Sequence, residues 1–233
     1  MIYAEAGNKF SKLALKDASP IVAGYFAVSF VFGLMCINQG LPVWLPTLIS
    51  LVVYAGAAQF SFLALVSAEA GVLTVITTTL LINLRHMLMS VYMSEHFEKR
   101  GFSNKFKWLY GYGLTDESFA YHSVGINNDN MDQHYLTTFN MSCHLSWVMG
   151  SLFGTLTALY LNEVISFDLS YALVAMMIFV LVSLANTFEK VLVALSSIVV
   201  TVILMLLFSS YMNIFIATFI GCGVGICLKK KRS

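Results

Sequence analysis

Charged side chains are scarce in this chain of 233 residues, of which Asp, Glu, Lys and Arg together make up 11%. A soluble domain usually carries about 25%. The shortage is concentrated in charge-free runs, the longest of which has 51 residues, and the runs are 18–68, 70–84, 133–162, 169–188 and 191–228. Because a bilayer-spanning helix needs about 20 such residues, the sequence predicts an all-α polytopic membrane protein with about seven transmembrane helices.

Several kinds of chemistry lack their residues here. The chain has no G-x-x-x-x-G-K-S/T run and no G-x-G-x-x-G run, so we expect no nucleotide bound to this chain to drive its function. H-E-x-x-H and G-x-S-x-G are absent too, and the five histidines show no metal-ligand spacing. Lys and Arg gather at the chain ends and in one loop instead of forming a basic stripe. We therefore predict no enzyme, no cofactor, no metal site and no nucleic-acid partner.

The charge-free runs place the predicted spans along the chain. They are Ala18–Asn38, Thr47–Ala68, Val72–Tyr92, Tyr135–Asn162, Leu169–Thr187, Val191–Phe208 and Ile214–Leu228. Pro20 is expected near the first turn of the first span, where proline is tolerated.

The polar connection 95–133 is too long for a bare turn, so we expect short helices in it. Thr115 is predicted to cap one of them. Asp116 and Glu117 then lie in its first turn, where the helix dipole favours acids.

An internal repeat is suggested by Phe32-Gly33 and Phe153-Gly154, which stand 121 residues apart. At that offset the first three spans overlay the next three in inverted orientation, a pattern typical of secondary transporters. We thus expect one transporter domain with a first repeat at 18–93, a second at 135–208 and a last helix at 214–228. Lys and Arg in the loops favour a cytoplasmic C-terminus and an outside N-terminus, and both termini are expected in the cytoplasm if one segment does not span the membrane.

Two polar clusters interrupt the apolar stretch Tyr54–Ser90. One is Tyr54-Ala55-Gly56-Ala57-Ala58-Gln59, and the other is Asn83-Leu84-Arg85-His86. An arginine at the centre of a span costs roughly 2.5–3.5 kcal/mol on insertion scales, so it is normally paired, faces water or reaches an interface. Structural interpretations remain open: an interfacial anchor for Arg85-His86, and close helix packing for the small residues.

These clusters are recognisable. Y-A-G-A-A-Q-F, N-L-R-H-x-L-M-S and the T-D-E-S-F-A run at Thr115–Ala120 resemble the motifs of the AzlC family of branched-chain amino acid exporters. The motifs lie within Ser50–Ser90 and Thr115–Ala120, whereas from Asp168 onward the sequence is generic membrane helix. The resemblance implies export of valine, leucine, isoleucine and, as a further candidate, methionine across the bacterial cytoplasmic membrane. It also implies coupling to an ion gradient and a small AzlD-type membrane subunit as partner.

An amino-acid substrate assigns roles to the unusual residues. The candidates for substrate binding are Tyr54, Gly56, Ala57, Gln59, Asn83 and Arg85, and those for coupling or gating are His86, Asp116 and Glu117. Arg85 can bind a carboxylate bidentately. His86 titrates near neutrality when unperturbed, and the two acids can take an ammonium group or a proton. The alternative is a passive pore or a structural membrane subunit without its own substrate site, in which Arg85 serves only folding or assembly.

Overall fold

The computed structural model describes residues 2–125, 131–160, 178, 182, 187–207, 216–217, 220–221 and 223–226. The elements assigned in these residues confirm the predicted all-α fold. They are α1 (Ile2–Asn38), α2 (Leu45–Val52), α3 (Gly56–Ser67), α4 (Val72–Lys99), α5 (Asn104–Tyr112), α6 (Asp116–Gly125), α7 (Gln133–Tyr160) and α8 (Phe188–Leu207). The chain divides into two units, Met1–Met176 and Met177–Ser233, so α1 to α7 belong to the first.

Within the described residues, three helices are long and apolar enough to cross a bilayer. They are the Ser11–Asn38 part of α1, all of α4, and the Lys190–Leu207 part of α8. They coincide with the predicted first, third and sixth spans and confirm the membrane class. Most of the predicted fifth span, Leu169–Thr187, and about half of the seventh, Ile214–Leu228, lie outside the described residues. The count of seven spans and the inverted repeat therefore stay predictions.

The placement of Pro20 near a helix start was wrong. α1 already begins at Ile2, and Pro20 lies inside it. A proline has no N–H to donate to the carbonyl four residues earlier, here that of Lys16. The Ser19 hydroxyl donates to the Lys16 carbonyl at 2.8 Å instead. This replacement donor lets the helix run through the proline.

The predicted second span, Thr47–Ala68, is not one continuous helix. α2 ends at Val52 and α3 begins at Gly56. Between them Tyr54 has a φ of 43°, in the left-handed region, and Ala55 is extended, with φ −137° and ψ 94°. A left-handed conformation costs a residue with a Cβ on the order of 1–3 kcal/mol, so tertiary contacts have to hold it.

Those contacts come from a buried side-chain bridge. Gln59 of α3 donates from Nε2 to Ser50 Oγ of α2 at 3.0 Å, and its Oε1 accepts from Trp147 Nε1 of α7 at 2.8 Å. All three residues are at most 2% exposed. The bridge joins the two half-helices to each other and to α7, so a single amide fixes the geometry of the break.

α1 and α7 form the centre of the first unit and approach each other through glycines. A Cβ on Gly33 would overlap the backbone carbonyl of Ser151, and a Cβ on Gly154 would overlap that of Phe30. The two Phe-Gly positions of the suggested repeat thus lie at one helix contact. α7 corresponds to the predicted fourth span but is not among the candidate spans. Its mean hydropathy is lowered by polar residues such as Asn140 and His144, which are buried in the protein.

The connection between α4 and α7 contains the expected short helices, α5 and α6. Thr115 caps α6 as predicted: the Ser118 backbone N–H donates to Thr115 Oγ1 at 3.3 Å. In return the Thr115 N–H donates to Ser118 Oγ at 2.9 Å. This reciprocal cap fixes the start of α6 and thereby the positions of Asp116 and Glu117.

Candidate functional site

A cavity in the first unit lies beside the break between α2 and α3. It is lined by Tyr25 of α1, by Tyr54 and Ala55 of the break, by Gly56 and Ala57 of α3, by Arg85 and His86 of α4, by Thr115, Asp116 and Glu117 at the start of α6, and by Trp147 of α7. The empty space measures about 310 Å³, a volume that includes the part open to solvent. A sphere the size of a water molecule fits at few positions inside it, and the positions that its centre can take fill only about 20 Å³. The cavity is therefore a narrow crevice where five helices meet.

One wall of this crevice is the N-terminus of α3. The N-cap residue, Ala55, has no side-chain hydrogen bond to the first turn. The first-turn N–H groups of a helix lack intrahelical partners and carry a partial positive charge. The small residues Gly56 and Ala57 leave this backbone accessible to a ligand, and a carboxylate is a suitable one.

The opposite wall carries the arginine. Arg85 lies at the middle of α4, where its Nη2 contacts Asp116 Oδ2 of α6 at 2.9 Å. The side chains are 34% and 20% exposed, so the pair is partly open. Within the described residues the buried Arg85 Nε has no hydrogen-bond partner. The guanidinium is thus held by a fixed acid while keeping a donor for a further group.

A second carboxyl group, that of Glu117, is buried next to this pair and only 7% exposed. The Tyr25 hydroxyl donates to Glu117 Oε2 and lies 2.6 Å from Thr115 Oγ1. Glu117 Oε1 is buried without a hydrogen-bond partner in the described part of the chain. Burial raises the pKa of this carboxyl, which lies on α6 outside the candidate spans. The group is placed to accept a proton or a cation.

The structure brings most of the predicted site residues together. Lining the cavity are Tyr54, Gly56, Ala57, Arg85, His86, Asp116 and Glu117. Gln59 and Asn83 are not among the lining residues. Both ends of the Gln59 amide are occupied by Ser50 and Trp147, so Gln59 supports the break, and its direct contact with substrate stays a prediction. Asn83 lies on α4 away from the crevice, and its Oδ1 is buried without a partner among the described residues.

Three lining residues were missed as site residues: Tyr25, Thr115 and Trp147. Thr115 was identified only as a helix cap. Trp147 carried a usable signal, because a tryptophan deep inside an apolar run needs a partner for its N–H and is not at the interface where the residue is enriched. Tyr25 had no such signal, since only the packing of α6 against α1 gives it a buried carboxylate.

Metal binding finds no support in this geometry. Among the described residues, no group of three or more His, Cys, Asp or Glu side chains is arranged to hold a metal ion. What the crevice offers is a helix N-terminus, a partly satisfied guanidinium, a buried carboxyl and aromatic rings. These groups suit a small ligand that carries both charges.

Comparisons with known proteins cover the same part of the chain. A family model described as AzlC protein matches residues 20–161, a range that contains every residue lining the crevice. An uncharacterized membrane protein of Helicobacter pylori is 31% identical over 151 residues, which are 61% of this chain and 64% of that protein. No solved structure matches this chain.

Two further relatives have names. Inner membrane protein YgaZ of Escherichia coli is 30% identical over 141 residues, covering 60% of this chain and 57% of that protein. Branched-chain amino acid transport protein AzlC of Bacillus subtilis is 25% identical over 144 residues, covering 61% and 56%. The chain thus spans less than two thirds of the length of the curated relatives it matches.

Proposed function

The chain belongs to the AzlC family, and on that basis we propose that it is a secondary active transporter that exports branched-chain amino acids across the cytoplasmic membrane. The transport is coupled to an ion gradient. The observation that carries this proposal is the crevice at the broken helix, which the N-terminus of α3 lines together with Arg85 and Glu117. Broken helices whose termini meet a charged substrate are the usual way to build a binding site inside a membrane.

The substrate carboxylate binds between the N-terminus of α3 and Arg85. The helix N-terminus supplies N–H donors, and the guanidinium supplies a fixed positive charge with planar geometry. Because Asp116 already contacts Arg85 at 2.9 Å, the incoming carboxylate shares Arg85 with Asp116 or displaces it. Binding therefore changes the contact between α4 and α6.

A partner subunit of the AzlD type fits the exposed apolar face of α4. Leucines on this helix are 47–78% exposed in the first unit, among them Leu73, Leu80, Leu84 and Leu88. In a membrane such a face contacts lipid or a neighbouring helix. We propose that the small subunit covers part of it and that export by this chain alone is weak.

Uphill export of labelled valine tests the function. Cells or proteoliposomes that contain the full chain, with and without the co-expressed small subunit, are loaded with valine and energised with an ion gradient. We expect valine to leave against its own concentration gradient and to stop when an ionophore dissipates the ion gradient. Movement that only equalises the concentrations would favour a passive pore. No movement with the partner present would favour a structural subunit.

Arg85→Lys tests the role of the arginine. A lysine keeps the charge but not the planar bidentate geometry, so we expect weaker apparent affinity for valine with normal accumulation of the protein in the membrane. An interfacial anchor would tolerate lysine, because either side chain can extend to the interface. Unchanged export kinetics would therefore indicate that Arg85 serves only folding or assembly.

A further inference from the structure

Three aromatic rings form one corner of the crevice. Tyr25 and Trp147 have ring centroids 5.3 Å apart at an interplanar angle of 81°. Tyr54 completes the set, at 6.3 Å and 75° from Tyr25 and at 6.5 Å and 74° from Trp147. All three residues line the crevice, so their π-systems border one part of it, the aromatic corner. A ring face turned to the crevice attracts a cation such as an ammonium group, because the ring quadrupole is negative over the face.

The charges around this corner also favour a bound cation. The charged residues lining the crevice are Arg85, Asp116 and Glu117. Arg85 and Asp116 neutralise each other in their ion pair, which leaves Glu117 as an acid that forms no salt bridge with another lining residue. A buried charge without a partner is expensive. A proton can neutralise Glu117, and so can a ligand cation.

Glu117 and the rings are physically connected. The Tyr25 hydroxyl donates to Glu117 Oε2, which places the carboxyl against the edge of the ring cluster. Glu117 Oε1 remains without a hydrogen-bond partner in the described residues, so one acceptor is left over. The narrow crevice suits a primary ammonium group, which is about as large as a water molecule.

We propose that Tyr25, Tyr54, Trp147 and Glu117 form a subsite for the ammonium group of the transported amino acid. The inference rests on the proposed transport of amino acids and extends it, because it sets the orientation of the substrate. The ammonium group enters the aromatic corner, the carboxylate faces the N-terminus of α3 and Arg85, and the aliphatic side chain lies in the more open part of the crevice.

The subsite makes a prediction about selectivity. A hydroxy acid with the valine side chain, 2-hydroxy-3-methylbutanoate, keeps the carboxylate and the isopropyl group but replaces the ammonium by a hydroxyl. The neutral hydroxyl gains neither the cation–π attraction nor the ion pair with Glu117. The crevice should therefore prefer valine to the hydroxy acid by about tenfold or more, since a hydrogen bond to a charged group is stronger than one between neutral groups.

The experiment measures that preference in wild type and variants. Proteoliposomes with the full chain, and with the small subunit where export needs it, are assayed for labelled valine transport. Unlabelled valine and 2-hydroxy-3-methylbutanoate serve as competitors. Glu117→Gln and Trp147→Phe are compared with Trp108→Phe, a matched control on α5 whose tryptophan is 83% exposed and lies outside the crevice.

We expect Glu117→Gln to reduce the preference for valine over the hydroxy acid by about tenfold, and Trp147→Phe by about threefold. Trp108→Phe should leave the preference unchanged. A merely structural role would weaken both competitors equally and leave their ratio intact, so an unchanged ratio in Glu117→Gln overturns the subsite. Equal competition by the hydroxy acid in wild type also overturns it. A wild type that does not transport valine at all contradicts the proposed function itself.

Discussion

α7 and α4 are equally long, 28 residues each, but they are embedded in opposite ways. α7 buries residues along its whole length, among them the polar side chains of Asn140 and His144. In α4 the buried residues are Met93 and Phe97, both near its C-terminal end. Asn140 and His144 of α7 face the protein interior, whereas the middle of α4 turns leucines outward and directs Arg85 and His86 to the crevice.

This difference gives the crevice one rigid wall and one loosely held wall. On the rigid side, glycine contacts fix α1 against α7 and the Gln59 bridge fixes the break. On the other side, α4 is anchored at its end by Phe97, whose ring packs against those of Phe102, Phe106 and Tyr110 at centroid distances of 4.7–5.3 Å. Its middle is tied to α6 by the Arg85–Asp116 pair. Movement that admits a substrate is expected on the α4 side.

Loss of the rigid wall should give the largest change in stability. Gly33→Ala places a methyl group into the backbone of α7 at Ser151, which cannot move away without shifting the helix. We expect the free energy of unfolding in detergent to fall by about 3 kcal/mol, as for overpacked cores. Gly24→Ala is the matched control on the same helix, because a Cβ there meets no atom within 4 Å. Equal stability of the two variants would show that α1 and α7 are not tightly packed.

The buried bridge should come next. Gln59→Leu keeps the volume but leaves Trp147 Nε1 and Ser50 Oγ without their partner, which should lower the free energy of unfolding by about 2 kcal/mol. Combining it with Trp147→Phe removes one orphaned donor, so the double variant should lose less than the sum of the single losses. Additive losses would mean that Gln59 does not brace the break through Trp147.

The sequence predicted the parts of this architecture that depend on local chemistry. Charge-free runs identified the apolar helices, and Thr115 followed by two acids identified the start of α6. Both features could be predicted because helix capping and helix length depend on residues that are neighbours in the sequence. The motif residues Tyr54, Arg85 and Asp116 were correctly singled out as unusual, and the structure places them at one cavity.

The rest depended on contacts between distant residues. Neither Tyr54 nor Ala55 is a proline or a glycine, so these two positions do not predict a helix break. The break depends on the hydrogen-bonded bridge from Ser50 through Gln59 to Trp147. For the same reason the sequence could not predict that Gln59 bonds to Ser50 and Trp147: an amide in an apolar run looks the same whether its partner is a substrate or an indole. The role of Tyr25 likewise follows only from the packing of α6 on α1.

A pH-dependent effect should test the packing of α6 against α5. His122 on α6 is fully buried, its Nδ1 lies 2.9 Å from the Tyr110 hydroxyl, and burial lowers its pKa from 6.5 to about 3. The folded state keeps the ring neutral while the unfolded state takes a proton below pH 6.5, so this contribution is lost as the pH falls from about 6.5 toward 3.

Between pH 6.5 and 5.5 this histidine should reduce the free energy of unfolding by roughly 1 kcal/mol. His122→Gln has no proton to gain, and it should show a correspondingly flatter loss of stability with acid. His134→Gln, at an exposed position of α7, should follow wild type. Equal pH slopes for wild type and His122→Gln would contradict the buried neutral ring.

The ion pair on the loosely held side should contribute least to stability and most to transport. Because its side chains are 34% and 20% exposed, a double-mutant cycle of Arg85→Met and Asp116→Asn should give a coupling of about 1 kcal/mol or less. The reversed pair, Arg85→Asp with Asp116→Arg, restores the attraction but places a carboxylate where the substrate carboxylate is expected. We therefore expect normal stability and no valine export from the reversed pair. Export at the wild-type rate would show that the pair only fastens α4 to α6. The loosely held wall would then serve packing, as the rigid wall does, and the contrast between them would no longer hold.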